Sequence, residues 1–210
     1  MARARDAVAD SIVRALAIKG SAPLDALGSA LLSDPIEIKP IVDQLVRGGQ
    51  AERVSGAIRL TRNGKTRGRK LFAADREQWG VKNATAALEA FHELDERMKE
   101  TITAWQLRDL GGTQVPNDHR DRIYDARVMA RLTELHHDTN AWVDSMTGAP
   151  TSIRDYVTRL EKALKSARSD PRFMASPLVD SYHGVWFEFH EALIQLAGRR
   201  RAEESAAGRA

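Results

Sequence analysis

Residues Pro23–Lys65 read PLDALGSALLSDPIEIKPIVDQLVRGGQAERVSGAIRLTRNGK, in the order helix, turn, helix, hairpin and the start of a third helix. Leu24, Leu27 and Leu31 recur at helical spacing, and so do Ile38, Ile41, Val42 and Leu45, so each run offers one buried face. Between them Leu32-Ser33 is a turn, Asp34 is an N-cap and Pro35 suits the first helical position, where no amide is needed. Pro40 sits one turn further on, where it removes a hydrogen bond and presses on the Ile36 carbonyl. The pattern therefore predicts a helix that starts late or kinks there, and that stops at Gly48-Gly49. Gln50 to Val54 and Ala57 to Thr61 read as two short strands joined by Ser55-Gly56, a tight hairpin. A further helix starts after Thr61.

Two short amphipathic helices cannot bury their apolar faces alone. The helix before them, carrying Val8, Ile12, Val13 and Leu16, and the small sheet complete one core. With 210 residues, the chain has room for a small domain of residues 1–79 and a larger one. The charge divides the same way: residues 1–79 hold 14 Lys or Arg against 9 Asp or Glu, and the rest hold 18 against 20. A basic small domain beside a slightly acidic large one fits a module that meets a polyanion and a second part that does not. The absence of cysteine excludes disulfides, thiolate metal sites and thiol nucleophiles, and fits a reducing compartment. Asp6, Asp10 and Arg14 interrupt the first apolar stretch, so no signal peptide is expected there, and no apolar run reaches the roughly 20 residues of a membrane span. The expectation is a soluble, cytoplasmic protein with no membrane partner.

The run LVRGGQAERVSGAIRLTRNGKTRGRKL, with its step Leu60-Thr61-Arg62-Asn63-Gly64, resembles the recognition-helix end, wing and following helix of bacterial transcription regulators of the MarR and PadR kind. The resemblance covers about Leu24 to Leu71. It implies an N-terminal winged helix-turn-helix with a small β-hairpin wing and double-stranded DNA as partner. If Ile38, Ile41, Val42 and Leu45 point inward, then Glu37, Lys39, Pro40, Asp43, Gln44 and Arg47 face outward. Gln44 matches adenine, and Lys39 or Arg47 matches guanine or phosphate. Glu37 and Asp43 repel phosphate on that same face. The stronger cationic group comes later: Arg53 and Arg59 on the hairpin, then Arg62, Lys65 and Arg67, with Arg69 and Lys70. The bland alternative is a solvated basic helix face, or a winged helix that binds protein.

Residues 80–198 read as helices throughout. Thr85 to Leu110 carries Leu88, Phe91, Leu94, Met98, Ile102 and Trp105 and stops at Gly111-Gly112. Asn117 or Asp118 is expected to cap a helix from His119 to about Met146. Pro150-Thr151 opens a third that closes near Ser169, and the last runs from near Asp180 to Gly198. Four such helices predict an antiparallel bundle, so the fold class is mainly α, a winged helix-turn-helix followed by a C-terminal helical bundle. Residues 199–210 form a charged tail.

Trp105, Trp142 and Trp186 lie on three different helices, with Arg108, Tyr124, His136, Tyr182, His183 and His190 nearby in sequence. Aromatic walls with a few polar groups describe a small-molecule pocket, and core packing is the plain alternative. Phe189-His190-Glu191-Ala192-Leu193 resembles part of the helical effector domain of GntR-type regulators, whose histidine binds metal. The acidic ligand that family places four residues earlier is Trp186 here, so no metal is expected. Carboxylate pairs such as Asp95-Glu96 fall on polar, exposed-looking stretches. Asp180, Tyr182, His183, Glu188 and His190 are the only enzyme-like cluster, and no phosphate-cradling loop or nucleophile elbow occurs. The sequence thus predicts a ligand-responsive, homodimeric, DNA-binding repressor with a small-molecule effector, no cofactor and no catalysis. A protein-interaction module and an enzyme built on the bundle are the alternatives.

Overall fold

Asp34 starts the second helix of the quoted stretch by accepting the Ile36 amide on its side chain at 2.8 Å, while Pro35 occupies the position whose amide would have no partner. The computed structural model describes residues 2–206 and 208, with side chains from residue 4; Met1 of the N-terminal segment and residues 207, 209 and 210 of the expected tail lie outside the described residues. The chain is mainly helical with a small antiparallel sheet, and its described residues form ten helices. None of them is long and apolar enough to cross a membrane.

The N-terminal elements run α1 (Ala2–Lys19), β1 (Ser21–Ala22), α2 (Leu24–Ala30), α3 (Pro35–Arg47), β2 (Ala51–Val54), β3 (Ala57–Leu60) and α4 (Arg62–Trp79). Ile12, Val13, Leu16, Leu27, Ile38, Val42, Leu45, Ile58 and Leu60 form their buried core. Helix α3 begins at Pro35 and keeps Pro40 inside it, so the late start expected from Pro40 does not occur. Strand β3 is central, in the order β1-β3-β2, pairing Ser21 with Arg59 and Arg53 with Ile58. Sequence pattern missed β1 because two residues, one of them serine, carry no period. Ser55 and Gly56 both have positive φ, 50° and 83°, which matches the right-handed twist of a two-residue hairpin.

The step from hairpin to α4 has a physical reason at both ends. The Thr61 side chain accepts the Gly64 amide at 3.3 Å and donates to the Gly49 carbonyl at 2.7 Å. Gly64 lets the helix pass directly over Gln50, the residue before β2: a Cβ there would overlap the Gln50 carbonyl oxygen.

Beyond Gly80 come α5 (Val81–Gln106), β4 (Leu107–Asp109), β5 (Gln114–Pro116), α6 (Arg122–Asp144), α7 (Thr151–Ala167), α8 (Arg172–Ala175), α9 (Tyr182–Leu196) and α10 (Arg201–Ala206). Helix α5 ends at Gln106 instead of Leu110. Leu107–Asp109 leaves it to pair with Gln114–Pro116, and the Asp109 side chain accepts the Gly112 amide at 2.6 Å to close the turn. The cap of α6 is Asp121, which accepts the amides of Ile123 and Tyr124, and neither Asn117 nor Asp118 holds that position. Asn117 donates to the Trp105 carbonyl at 3.1 Å and to Asp125 at 2.9 Å. Helix α6 stops two residues before Met146 and α7 two before Ser169.

The chain groups into two compact units: residues up to 86 together with those from 188 on, and residues 87–187. The divisions fall within α5 and α9.

Candidate functional site

Eight residues of the first unit were expected to meet DNA, and the structure divides them into two sets. Lys39 and Arg53 are both engaged by Asp43, at 3.0 Å and 2.6 Å, so this carboxylate joins α3 to β2. The two cations beside it hold the Asp43 carboxyl below its ordinary range, Arg53 foremost. Asp43, read together with Glu37 as repelling phosphate, is thus compensated by two cations. Arg59 pairs with Glu52 across the hairpin at 2.8 Å. Arg67 holds Asp10 of α1 at 2.6 Å and donates to the Gln50 side chain, so it ties α4 to α1 and to the start of the hairpin.

Gln44, Arg47, Arg62 and Lys65 form the second set. All four are exposed, and no ion pair or side-chain hydrogen bond engages them among the described residues. Arg47 closes α3, while Arg62 and Lys65 occupy the first turn of α4, after the hairpin. Cations on the first turn of a helix lie next to backbone amides that also favour anions, so this end of α4 attracts negative charge twice over.

The aromatic residues of the second unit fall into two clusters instead of one. Phe91 of α5 stacks on Trp186 of α9, centroids 4.9 Å apart, and meets Trp142 of α6 at 5.9 Å. Tyr182 lies over the other side of Trp186 at 6.2 Å and edge-on to His136 at 6.0 Å. Trp186 is 2% exposed and Tyr182 fully buried. Burial holds the Tyr182 phenol above its ordinary range and the half-buried His136 below its own, the Glu161 charge opposing the latter shift.

The second cluster surrounds the β4–β5 hairpin. Trp105 lies against His119 at 4.4 Å, and the Arg108 guanidinium sits 4.8 Å over the Tyr124 ring while pairing with Asp121 at 2.8 Å. Tyr124 Oη reaches the carbonyl oxygens of Ala104 and Leu107, at 2.9 and 3.1 Å. Cation–π contact, ion pair and hydrogen bonds make this a self-satisfied polar joint. His183 is exposed, and buried His190 belongs to the residue set of the first unit.

Asp95 is the residue that sequence reasoning misplaced. It is 6% exposed and accepts the Trp186 indole N–H at 2.9 Å, with Lys99 at 3.1 Å. The usable signal is spacing, because Asp95 stands one helical turn after Phe91 and so shares its face. The enzyme-like cluster is served by separate partners: Asp180 pairs with the 3% exposed Arg159 at 2.7 Å, and Glu188 pairs with Lys19. Among the described residues no group of three or more His, Cys, Asp or Glu is placed to hold a metal ion. Comparison with protein-family models, curated proteins and solved structures finds no match to this chain.

Proposed function

We propose that residues 1–79 act as a winged helix-turn-helix that binds double-stranded DNA, and that the protein is a homodimeric, ligand-responsive transcriptional repressor of the MarR and PadR kind. One observation carries this reading: Arg47, Arg62 and Lys65 stand exposed at the end of α3 and the start of α4, next to a two-residue hairpin, with no carboxylate engaging them among the described residues. Cations held on rigid helix ends, with their charge uncompensated, suit a regular array of phosphates. Gln44, one turn before Gly48 on the same helix, is the candidate base reader. Half-site symmetry of the DNA is the reason for a dimer.

A rival reading, a protein-interaction module, draws on Asp43, Glu52 and Asp10, which already neutralise four of the expected contacts. Binding of a mixed-sequence duplex across a salt series separates the two. The DNA reading expects the slope of log affinity on log salt to fall by about one for each of Arg47→Ala, Arg62→Ala and Lys65→Ala. Arg59→Ala, whose charge Glu52 balances, should change it less. No measurable duplex binding by the intact protein, or slopes that ignore all three substitutions, would overturn the proposal.

A further inference from the structure

The first unit contains a second cationic site, which shares only Arg69 with the cations expected to meet DNA. A cavity of about 450 Å³ opens against the outer half of α4, lined by Arg69, Phe72 and Arg76 from that helix and by Arg199, Arg200 and Arg201 from the segment after α9. Its volume lies within the range of small-molecule sites. Five arginines line it against one carboxylate, Glu191, and Arg201 already pairs with that carboxylate at 2.8 Å. Arg199 and Arg200 are balanced by Glu204 and Glu203. Arg69 and Arg76 have no carboxylate partner among the described residues; Arg69 donates only to the Thr66 hydroxyl, at 3.1 Å.

Two uncompensated guanidinium groups beside a cavity repel one another unless an anion joins them, and planar forks suit phosphate or carboxylate oxygens. Arg76 packs closely on the segment that follows α9. Its guanidinium lies directly on Gly198, a residue at φ +73° where any Cβ would overlap Nη1. Phe72, 6% exposed, supplies an apolar wall, so the cavity offers both a charged end and an apolar surface.

We propose that this cavity binds a small organic anion, a phosphate or carboxylate head on an apolar body, with Arg69 and Arg76 holding the head and Phe72 facing the body. Arg62, Arg69 and Arg76 are spaced seven apart and so share one stripe of α4, spanning about 21 Å at 1.5 Å per residue. Under the regulator reading, on which this second step rests, the anion occupies one end of the helix whose other end meets DNA. It is then the effector site, in place of the two aromatic clusters of the second unit.

Phenyl phosphate is the test ligand, inorganic phosphate the head-only control, and a DNA duplex the polyanion control, all on the full-length protein by calorimetry. Phenyl phosphate is expected to bind at least tenfold tighter than inorganic phosphate. Arg69→Ala, at an exposed position that leaves the fold intact, should weaken it tenfold or more, as should Arg76→Ala and Gly198→Ala. Arg62→Ala should leave it within twofold. Absence of phenyl phosphate binding to the wild-type protein, or binding that Arg69→Ala does not weaken, overturns the site. Duplex binding that depends on Arg69 and Arg76 without any phenyl phosphate binding overturns it too and assigns these cations to DNA. Phenyl phosphate binding with no duplex binding leaves the site standing and removes the regulator reading instead.

Discussion

Gly64 stands where α4 crosses the Gln50 carbonyl, and a single methyl group there has nowhere to go because the atom it meets is backbone. Gly64→Ala is expected to cost about 1–3 kcal/mol in chemical denaturation, from the displacement of α4 against the Gln50 backbone. Thr61, three residues earlier, caps the same helix. Asp95 shows the same dependence on position inside the second unit, since it gives the buried Trp186 indole its acceptor. Asp95→Ala should therefore destabilise by about 1–3 kcal/mol, whereas Glu96→Ala, on an exposed side chain, should stay within about 0.5 kcal/mol in the same experiment. His136 titrates below its ordinary value of 6.5 because burial disfavours its cation, the charge of His137 adds to this, and Glu161 opposes it. The unfolded chain then takes up the proton first as the pH falls, so this residue removes stability below about pH 6.5 until its folded form is also protonated. Melting temperatures from pH 7.5 to 5 should fall less steeply for His136→Gln than for the wild type.

At the scale of elements, α3 illustrates two opposite uses of proline. Pro35 takes the first position, where its missing amide costs nothing, whereas Pro40 lies inside the helix and leaves the Ile36 carbonyl without its partner. Exposed Pro40 makes a clean test. Restoring the amide with Pro40→Ala returns up to about 3 kcal/mol of helix free energy and gives up about 0.4–1 kcal/mol of unfolded-state restriction, so a net gain of about 1–2 kcal/mol is expected in denaturation. The β4–β5 hairpin illustrates how a helix pattern ends early. Trp105 keeps the apolar period, but Gly111 and Gly112 both adopt positive φ, and the strands that this turn requires draw Leu107 and Arg108 out of α5. Apolar spacing marks α5 clearly up to Trp105, and it cannot show that the next residues gain more from pairing with Gln114–Pro116.

For the whole molecule, the informative fact is that residues from 188 onward belong to the compact unit formed by the first 86. Lys19, whose side chain is 13% exposed, pairs with Glu188, and Arg76 lies on Gly198. A chain ending at residue 86 takes the Glu188 carboxylate away from this largely buried ammonium. It is expected to unfold with at least about 3 kcal/mol less stability than the same unit in the full chain, as read by native-state hydrogen exchange of α1 and α4 amides. The sequence alone determined the local structure of residues 23–65: the N-cap at Asp34, the hairpin at Ser55-Gly56, the start of α4 after Thr61 and the inward faces of α2 and α3. These are short-range consequences of capping, turn chemistry and helical period. Tertiary structure alone decided which charges are spent on one another across elements, Asp43 with Arg53 and Asp10 with Arg67. It also divided the tryptophans between two clusters and brought Arg69 and Arg76 of α4 to the same cavity as Arg199–Arg201. Those outcomes depend on distances between residues far apart in the chain, and no periodicity records such distances.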